Sequence, residues 1–442
     1  MRRSLVAVLL MFGVVEVARA QLGLPTLRAP VGLPLTSLPG GILQQNQPGL
    51  SNGLDPASLR DLRRTAIRDL VRRYPRLLER DPSGEAIVRG ELLALSPSDG
   101  ALAAERAAGF SVLRDQALVG LGGRMVVLAV PARVRTERAL QRVRALDPAA
   151  QYAFNHIYEQ GGVLRQDPPT AESGPPSSGA APVEGTNGVR IGLIDDGVDA
   201  AHPVFKGAVV HSYGCSGKKV PGAHGTAVAS LMVGESARFR GAAPGGELFA
   251  ADVYCGLPTG GSVEAIAAAF DWLVQERVAV INVSLVGPEN PLLKSIVRSA
   301  IARGHLVVAA VGNDGPAAPP LYPAAYPGVV GVTAVDSHRR VLIEAERGPQ
   351  VRFAAPGADM AAAEPPQSYA LVRGTSFAAP IVAGLLAERL MAPDTAAADA
   401  AVSDLARHAI DLGAPGIDPV YGYGFVGGDV RPAPALASAQ GR

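Results

Sequence analysis

Between residues 187 and 335 short and nearly unbroken apolar runs alternate with stretches of helical spacing, without an internal sequence repeat. The runs are VRIGLI (189–194), ELFAADVY (247–254), VAVINVSL (278–285), HLVVAAV (305–311) and VVGVTAV (329–335). A strand with one wet face alternates apolar and polar residues, so unbroken runs belong to strands covered on both faces. The intervening SVEAIAAAFDWLVQER (262–277) and NPLLKSIVRSAIARG (290–304) read as helices. Buried strands alternating with helices predict an α/β fold with a mostly parallel sheet between two helical layers. In such a sheet functional groups gather beyond the carboxyl ends of the strands.

Four polar residues fall at strand ends or helix starts. Asp195 ends the first run in LIDDGVD, and His224 precedes an apolar stretch in HGTAVASLMVG. Asn313 follows the fourth run in VVAAVGNDG, and Ser376 stands in RGTSFAAP ahead of IVAGLLAERL. Singly, each is ordinary: a hydroxyl before a helix is a cap, Asp-Gly a turn and Gly-Asn a loop pair. Jointly they compose a chemistry. A serine hydroxyl becomes a nucleophile when a histidine takes its proton, and a carboxylate holds that histidine's tautomer. An asparagine amide and a backbone N–H at a helix start can then receive the oxyanion.

From 189 to 436 the chain resembles the subtilisin-family (subtilase) serine peptidases, on LIDDGVD, HGTAVAS, VVAAVGNDG and GTSFAAP in that order, with GAAPGGEL (241–248) and YGYGFV (421–426) as further matches. The resemblance implies a three-layer subtilisin-like domain, an Asp195–His224–Ser376 triad with Asn313 as oxyanion donor, and hydrolysis of polypeptides through an acyl-enzyme. It also implies a substrate-binding strand at Ser284, Leu285, Val286 and Gly287, facing Ala310 and Gly312. The sequence departs from the family at Ala227, Ser230 and Val286, where His, Gly and Gly are frequent; a valine side chain at 286 narrows the groove.

Upstream, residues 85–160 read as strand, helix, strand, helix, strand, with one more strand within 111–121, which suits a small ferredoxin-like α/β domain. Beside a subtilase domain it resembles the family's inhibitory and folding-assisting propeptide, so the chain is expected to be a zymogen that processes itself. Residues 161–188, rich in Gly, Pro, Ser and Ala, read as a linker, and 437–442 as a tail. Residues 21–84 hold a Pro-rich segment and then an amphipathic helix; its apolar stripe is Leu59, Leu62, Ile67, Leu70, Val71 and Tyr74. Its other face, Arg60, Arg63, Arg64, Arg68, Arg72 and Arg73, reads as solvated. Residues 1–20 combine MRR, an apolar stretch at 5–15 and ARA at 18–20, the pattern of a cleaved signal peptide. The expected location is therefore periplasmic or extracellular.

A net charge of +1 gives no reason to expect nucleic acid or an anionic membrane as partner, and no other run has the length of a membrane span. The expected state is a monomer. Cys215 and Cys255 leave two states open, a disulfide or two small buried thiols. His202, His211 and Cys215 match no common zinc spacing. Calcium stabilises many subtilases, but no acidic cluster here has calcium-loop spacing, so no metal or other cofactor is assigned. The competing reading is a catalytically silent binding protein on the same scaffold, which should have lost one of the four polar residues.

Overall fold

The computed structural model describes residues 56–165, 188–434 and 436; the signal-peptide pattern, the Pro-rich segment, most of the expected linker and the tail lie outside them. The N-terminal part begins with α1 (Pro56–Arg73) and β1 (Leu78–Arg80), followed by β2 (Ala86–Leu95), α2 (Asp99–Ala107), β3 (Ser111–Leu118), β4 (Gly123–Ala129), α3 (Thr136–Leu146) and β5 (Gln151–His156). From β2 onward this is β-α-β-β-α-β, a ferredoxin-like antiparallel sheet in which β2 lies between β4 and β5. The domain starts earlier than residue 85, because β1 pairs with β2 and Ile67 of α1 packs on Leu78, Ala86 and Ile157.

After β5 the chain forms β6 (Glu159–Gln160) and β7 (Val163–Arg165), then β8 (Arg190–Asp195), β9 (Val209–Tyr213), α4 (Ala223–Val233), the small hairpin β10 (Glu235–Ser236) and β11 (Phe239–Arg240), β12 (Glu247–Asp252) and α5 (Val263–Gln275). It continues with β13 (Val280–Val283), β14 (Leu285–Val286), α6 (Pro291–Ala302), β15 (Leu306–Ala310), β16 (Val330–Val335) and β17 (Val351–Pro356). A hairpin of β18 (Met360–Glu364) and β19 (Ser368–Arg373), then α7 (Thr375–Ala387) and α8 (Thr395–Arg407), complete it.

Seven strands make one sheet in the order β17-β16-β15-β13-β8-β12-β9, and every pairing in it is parallel. Successive residues of the central strands alternate between two cores. Leu193, Val308 and Val332 face α4 and α7, whereas Ile194, Val307 and Ala309 face α5 and α6. This double coverage is why the runs lack polar residues, and it yields the expected three layers.

The N-terminal sheet closes over the outer face of α5 and α6. Leu93, Leu118, Met125, Val127 and Ala153 join Ile266, Phe270, Leu293 and Ile296 in one hydrophobic core. Polar ties frame that contact: Leu121 N–H donates to Asp271 (3.0 Å), Asn290 Nδ2 donates to the Phe154 carbonyl (3.0 Å), and Arg114 pairs with Glu264. The helices receiving the sheet are capped at the contact, α5 by Ser262 and α6 by Asn290 with Pro291 at its first position.

Cys215 and Cys255 are bonded to each other, joining the end of β9 to the turn after β12. Among the described residues these cysteines and Asp252 form the one cluster of three His, Cys, Asp or Glu side chains close enough to share a metal ion, and bonded sulfurs hold no thiolate to ligate it. The bridge closes 40 residues of chain, which in the chain-entropy model stabilises by about 4 kcal/mol. Cys255→Ser is therefore expected to unfold at lower denaturant or temperature, and reductant should shift the parent protein but not the variant.

Candidate active site

Asp195 is the last residue of β8 and is fully buried, and the next residue, Asp196, lies just past the strand end. Asp196 accepts from the backbone N–H of Gly225 in the first turn of α4, and so fixes where that helix begins. That start delivers His224 to Asp195: Nδ1 of the imidazole lies 2.8 and 3.0 Å from the two carboxylate oxygens. Burial pulls the His224 pKa down, but the charge and hydrogen bond of Asp195, with Asp196 behind, outweigh it and raise the value to about 9. Burial, and then the neighbouring Asp195, push Asp196 up to about 7.

Ser376 lies in the first turn of α7, with Gly374 before it at φ 139°. A proline inside a helix has no N–H for the carbonyl four residues back. Here Pro380 releases the Ser376 carbonyl, which accepts instead from the Ser284 hydroxyl (2.9 Å). Asn282 Nδ2 in turn donates to that hydroxyl (2.9 Å). The proline closing GTSFAAP thus locks the serine turn to the end of β13. Asn313 Oδ1 accepts from Thr375 N–H (3.0 Å), and its amide Nδ2 is buried with no hydrogen-bond partner.

Most of the expected sites converge. Leu285 and Val286 form β14, which pairs antiparallel with the chain's own β6: Leu285 opposes Gln160 and Val286 opposes Glu159. The Tyr158 ring lies against Gly287, where a Cβ would come within 2.8 Å of it, and its hydroxyl donates to the Pro288 carbonyl. Past the site, β7 pairs antiparallel with β19. Residues 161–165 are therefore not linker but a strand laid through the site. The spacing of Gly and Pro beyond 165 suggested a linker, and the two glycines at its start read the same way.

Their role is close approach. A Cβ on Gly161 would stand 2.9 Å from Asn313 Nδ2 and 3.0 Å from Ser376 Oγ. Gly162 has φ 108°, and a Cβ there would meet the Phe377 ring at 2.7 Å. The carbonyl of Gly161 accepts from His224 Nε2 (3.1 Å), while the Ser376 hydroxyl donates to the Ser284 carbonyl (3.3 Å). Gln160 Nε2 donates to Asp195 (3.2 Å). The bound strand thus stands between base and hydroxyl.

A second group of charges escaped the sequence reading. Arg63 of α1 is not solvated. It forms two 2.9 Å hydrogen bonds with Glu85 and lies 3.8 Å from Glu159 and 3.5 Å from Asp314, the residue after Asn313. Burial pushes Glu159 up to about 7 and Asp314 to about 6 against the pull of Arg63. Glu346 is wholly buried beside Gly312: Oε2 accepts from Leu321 N–H (3.2 Å), and Oε1 has no partner. A periodic helix face shows in a sequence, but the element lying opposite it does not. Ala310, at the end of β15, is buried in the core facing α7, so Gly312 rather than Ala310 borders this group.

Residues 186–424 match the Subtilase family, Peptidase_S8. Subtilisin DY of Bacillus licheniformis is 34% identical over 233 residues, 51% of this chain and 85% of the relative. Minor extracellular protease Epr of Bacillus subtilis (strain 168) is 31% identical over 246 residues, 54% of this chain but 37% of Epr, so the chain spans well under half of that relative. Among solved structures, fervidolysin from Fervidobacterium pennivorans, a keratinolytic enzyme related to subtilisin, aligns with TM-score 0.66 at 22% identity, covering 83% of this chain and 62% of fervidolysin. That likeness concerns the fold, and its share of this chain is too large to come from residues 188–434 alone.

Proposed function

Because the chain belongs to the subtilase family of serine peptidases, we propose that it is an endopeptidase made as a self-processing zymogen, working through Asp195, His224 and Ser376 with Asn313 as oxyanion donor. The observation carrying this reading is Gly161, whose carbonyl accepts from His224 Nε2 and whose Cβ position lies 3.0 Å from Ser376 Oγ and 2.9 Å from the unpartnered amide of Asn313. In the reaction His224 takes the Ser376 proton as Oγ attacks the substrate carbonyl, and Asp195 stabilises the imidazolium. Asn313 Nδ2 receives the developing oxyanion. The imidazolium then protonates the leaving amine, and water releases the acyl group by the same steps in reverse order of partners.

Residues 56–160 act as the inhibitory propeptide. β6 supplies an added strand to β14, and the shared core gives a slow-forming parallel sheet a template. Secretion to the periplasm or medium is supported by the signal-peptide pattern at 1–20, and no helix among the described residues is long and apolar enough to cross a membrane. The working unit is a monomer acting on polypeptides.

The scissile bond of maturation is Gly161–Gly162, since Gly161 bears the carbonyl that meets the triad. Intact-mass and N-terminal measurement of the purified secreted protein should find Gly162 as the first residue of the mature form. A mature N-terminus upstream of residue 158 would remove this assignment, because β6 would then remain in the groove.

A further inference from the structure

The acidic group beside Asn313 has a geometry suited to substrate selection, an inference that rests on the peptidase reading above. We propose that Glu346 and Asp314 select a cationic side chain, arginine or lysine, at the residue preceding the cut bond.

Gly161 occupies that position in the precursor and brings no side chain. In an extended chain residues two apart project to the same face. Glu159, two residues earlier, turns its carboxylate to Arg63, and Arg63 reaches Asp314. A side chain at position 161 therefore leaves toward the Asn313–Asp314 turn, after its Cα moves a few tenths of an ångström from the Asn313 amide.

Glu346 stands behind that turn. Its backbone N–H donates to the Gly312 carbonyl (3.1 Å), and a Cβ on Gly312 would come within 2.7 Å of Oε1. Glycine at 312 leaves the carboxyl bare against the strand that presents Asn313. A buried carboxyl oxygen without a partner is costly unless something supplies a donor. Burial first, and then Asp314, push this carboxyl up to about 9, so it holds its proton until a cation comes near.

The precursor already seats a cation at the mouth of this group. Arg63 is the one cation paired with Asp314 among the described residues, and it comes from the N-terminal domain. When that domain leaves, Arg63, Glu85 and Glu159 leave with it, while Asp314 and Glu346 stay. Two carboxyls beside the bond-cutting groups then face an incoming substrate with no positive partner. A guanidinium or ammonium satisfies both, with Asp314 at the rim and the Glu346 oxygen deeper.

The test uses mature enzyme obtained from the full-length chain and two peptides identical except for arginine or its neutral isostere citrulline before the cut bond. The arginine peptide should have a kcat/KM about 100-fold higher. Glu346→Gln and Asp314→Asn should each reduce that ratio by about tenfold or more. Equal cleavage of the two peptides by the parent enzyme overturns the proposal, as does an unchanged ratio in the variants. If Glu346→Gln fails to accumulate, Asp314→Asn at the rim decides alone. Failure to cut either peptide, or casein, would instead strike the peptidase reading itself.

Discussion

Replacing Ser376 with alanine is expected to leave the chain uncut at Gly161–Gly162 and to lower casein hydrolysis by about 10⁶-fold. The serine is fully buried in the first turn of α7, and its hydroxyl makes one 3.3 Å contact to the Ser284 carbonyl. Alanine keeps the turn, because the bond locking it runs from the Ser284 hydroxyl to the Ser376 backbone carbonyl. The loss is therefore chemical. The variant should accumulate as a folded, full-length precursor with its N-terminal domain still bound, as shown by intact mass and gel filtration. Release of a Gly162 N-terminus by the purified variant would refute both the nucleophile and the self-processing reading.

How far the sequence carried the fold depended on burial. Strands covered on both faces, such as β13 and β15, appear as unbroken apolar runs, and their order with the helices was enough to predict the parallel sheet. Edge strand β9, VVHSY, is half wet and carries no such signal. The hairpin of β18 and β19 was also missed: MAAAE is a poor strand by propensity and is held by pairing with SYALVR. Helix α8, rich in alanine, has too few large apolar residues to show a stripe. At the site, Asp195, His224 and Ser376 each sit at a strand or helix terminus, positions that their motifs mark in the sequence. Glu346 and Arg63 lie far along the chain from Asn313, and only the folded backbone brings them beside it. Asp196 shows the finer limit: both carboxylates of the doublet Asp195-Asp196 meet the start of α4, Asp195 at the His224 imidazole and Asp196 at the Gly225 N–H, a division that two identical neighbours in a sequence do not reveal.

The same doublet yields the second large effect. Asp195→Asn is expected to lower the rate of self-cleavage and of peptide hydrolysis by about 10⁴-fold while leaving the fold intact. Asp195 Oδ1 accepts from Asp196 N–H (2.8 Å) and from Gln160 (3.2 Å), so an asparagine keeps its oxygen there. Its NH₂ then faces His224 Nδ1, where the parent has the second carboxylate oxygen at 3.0 Å. That NH₂ competes with the amide oxygen, which stays 2.8 Å from Nδ1, and wherever it donates to Nδ1 the imidazole carries its proton on Nε2, so the nitrogen needed as base is no longer free. A pH profile separates this from simple misfolding. In the parent precursor His224 is held protonated up to about pH 9, so self-cleavage should speed up as pH rises toward that value. The Asp195–His224 attraction stabilises the precursor fully below the ordinary histidine value of 6.5 and is lost as pH passes about 9. Without the Asp195 charge, burial lowers the His224 pKa, so the rising limb of the variant's much slower reaction should move to lower pH. A variant whose rate falls with no movement of that limb would show that Asp195 acts on the fold rather than on the base.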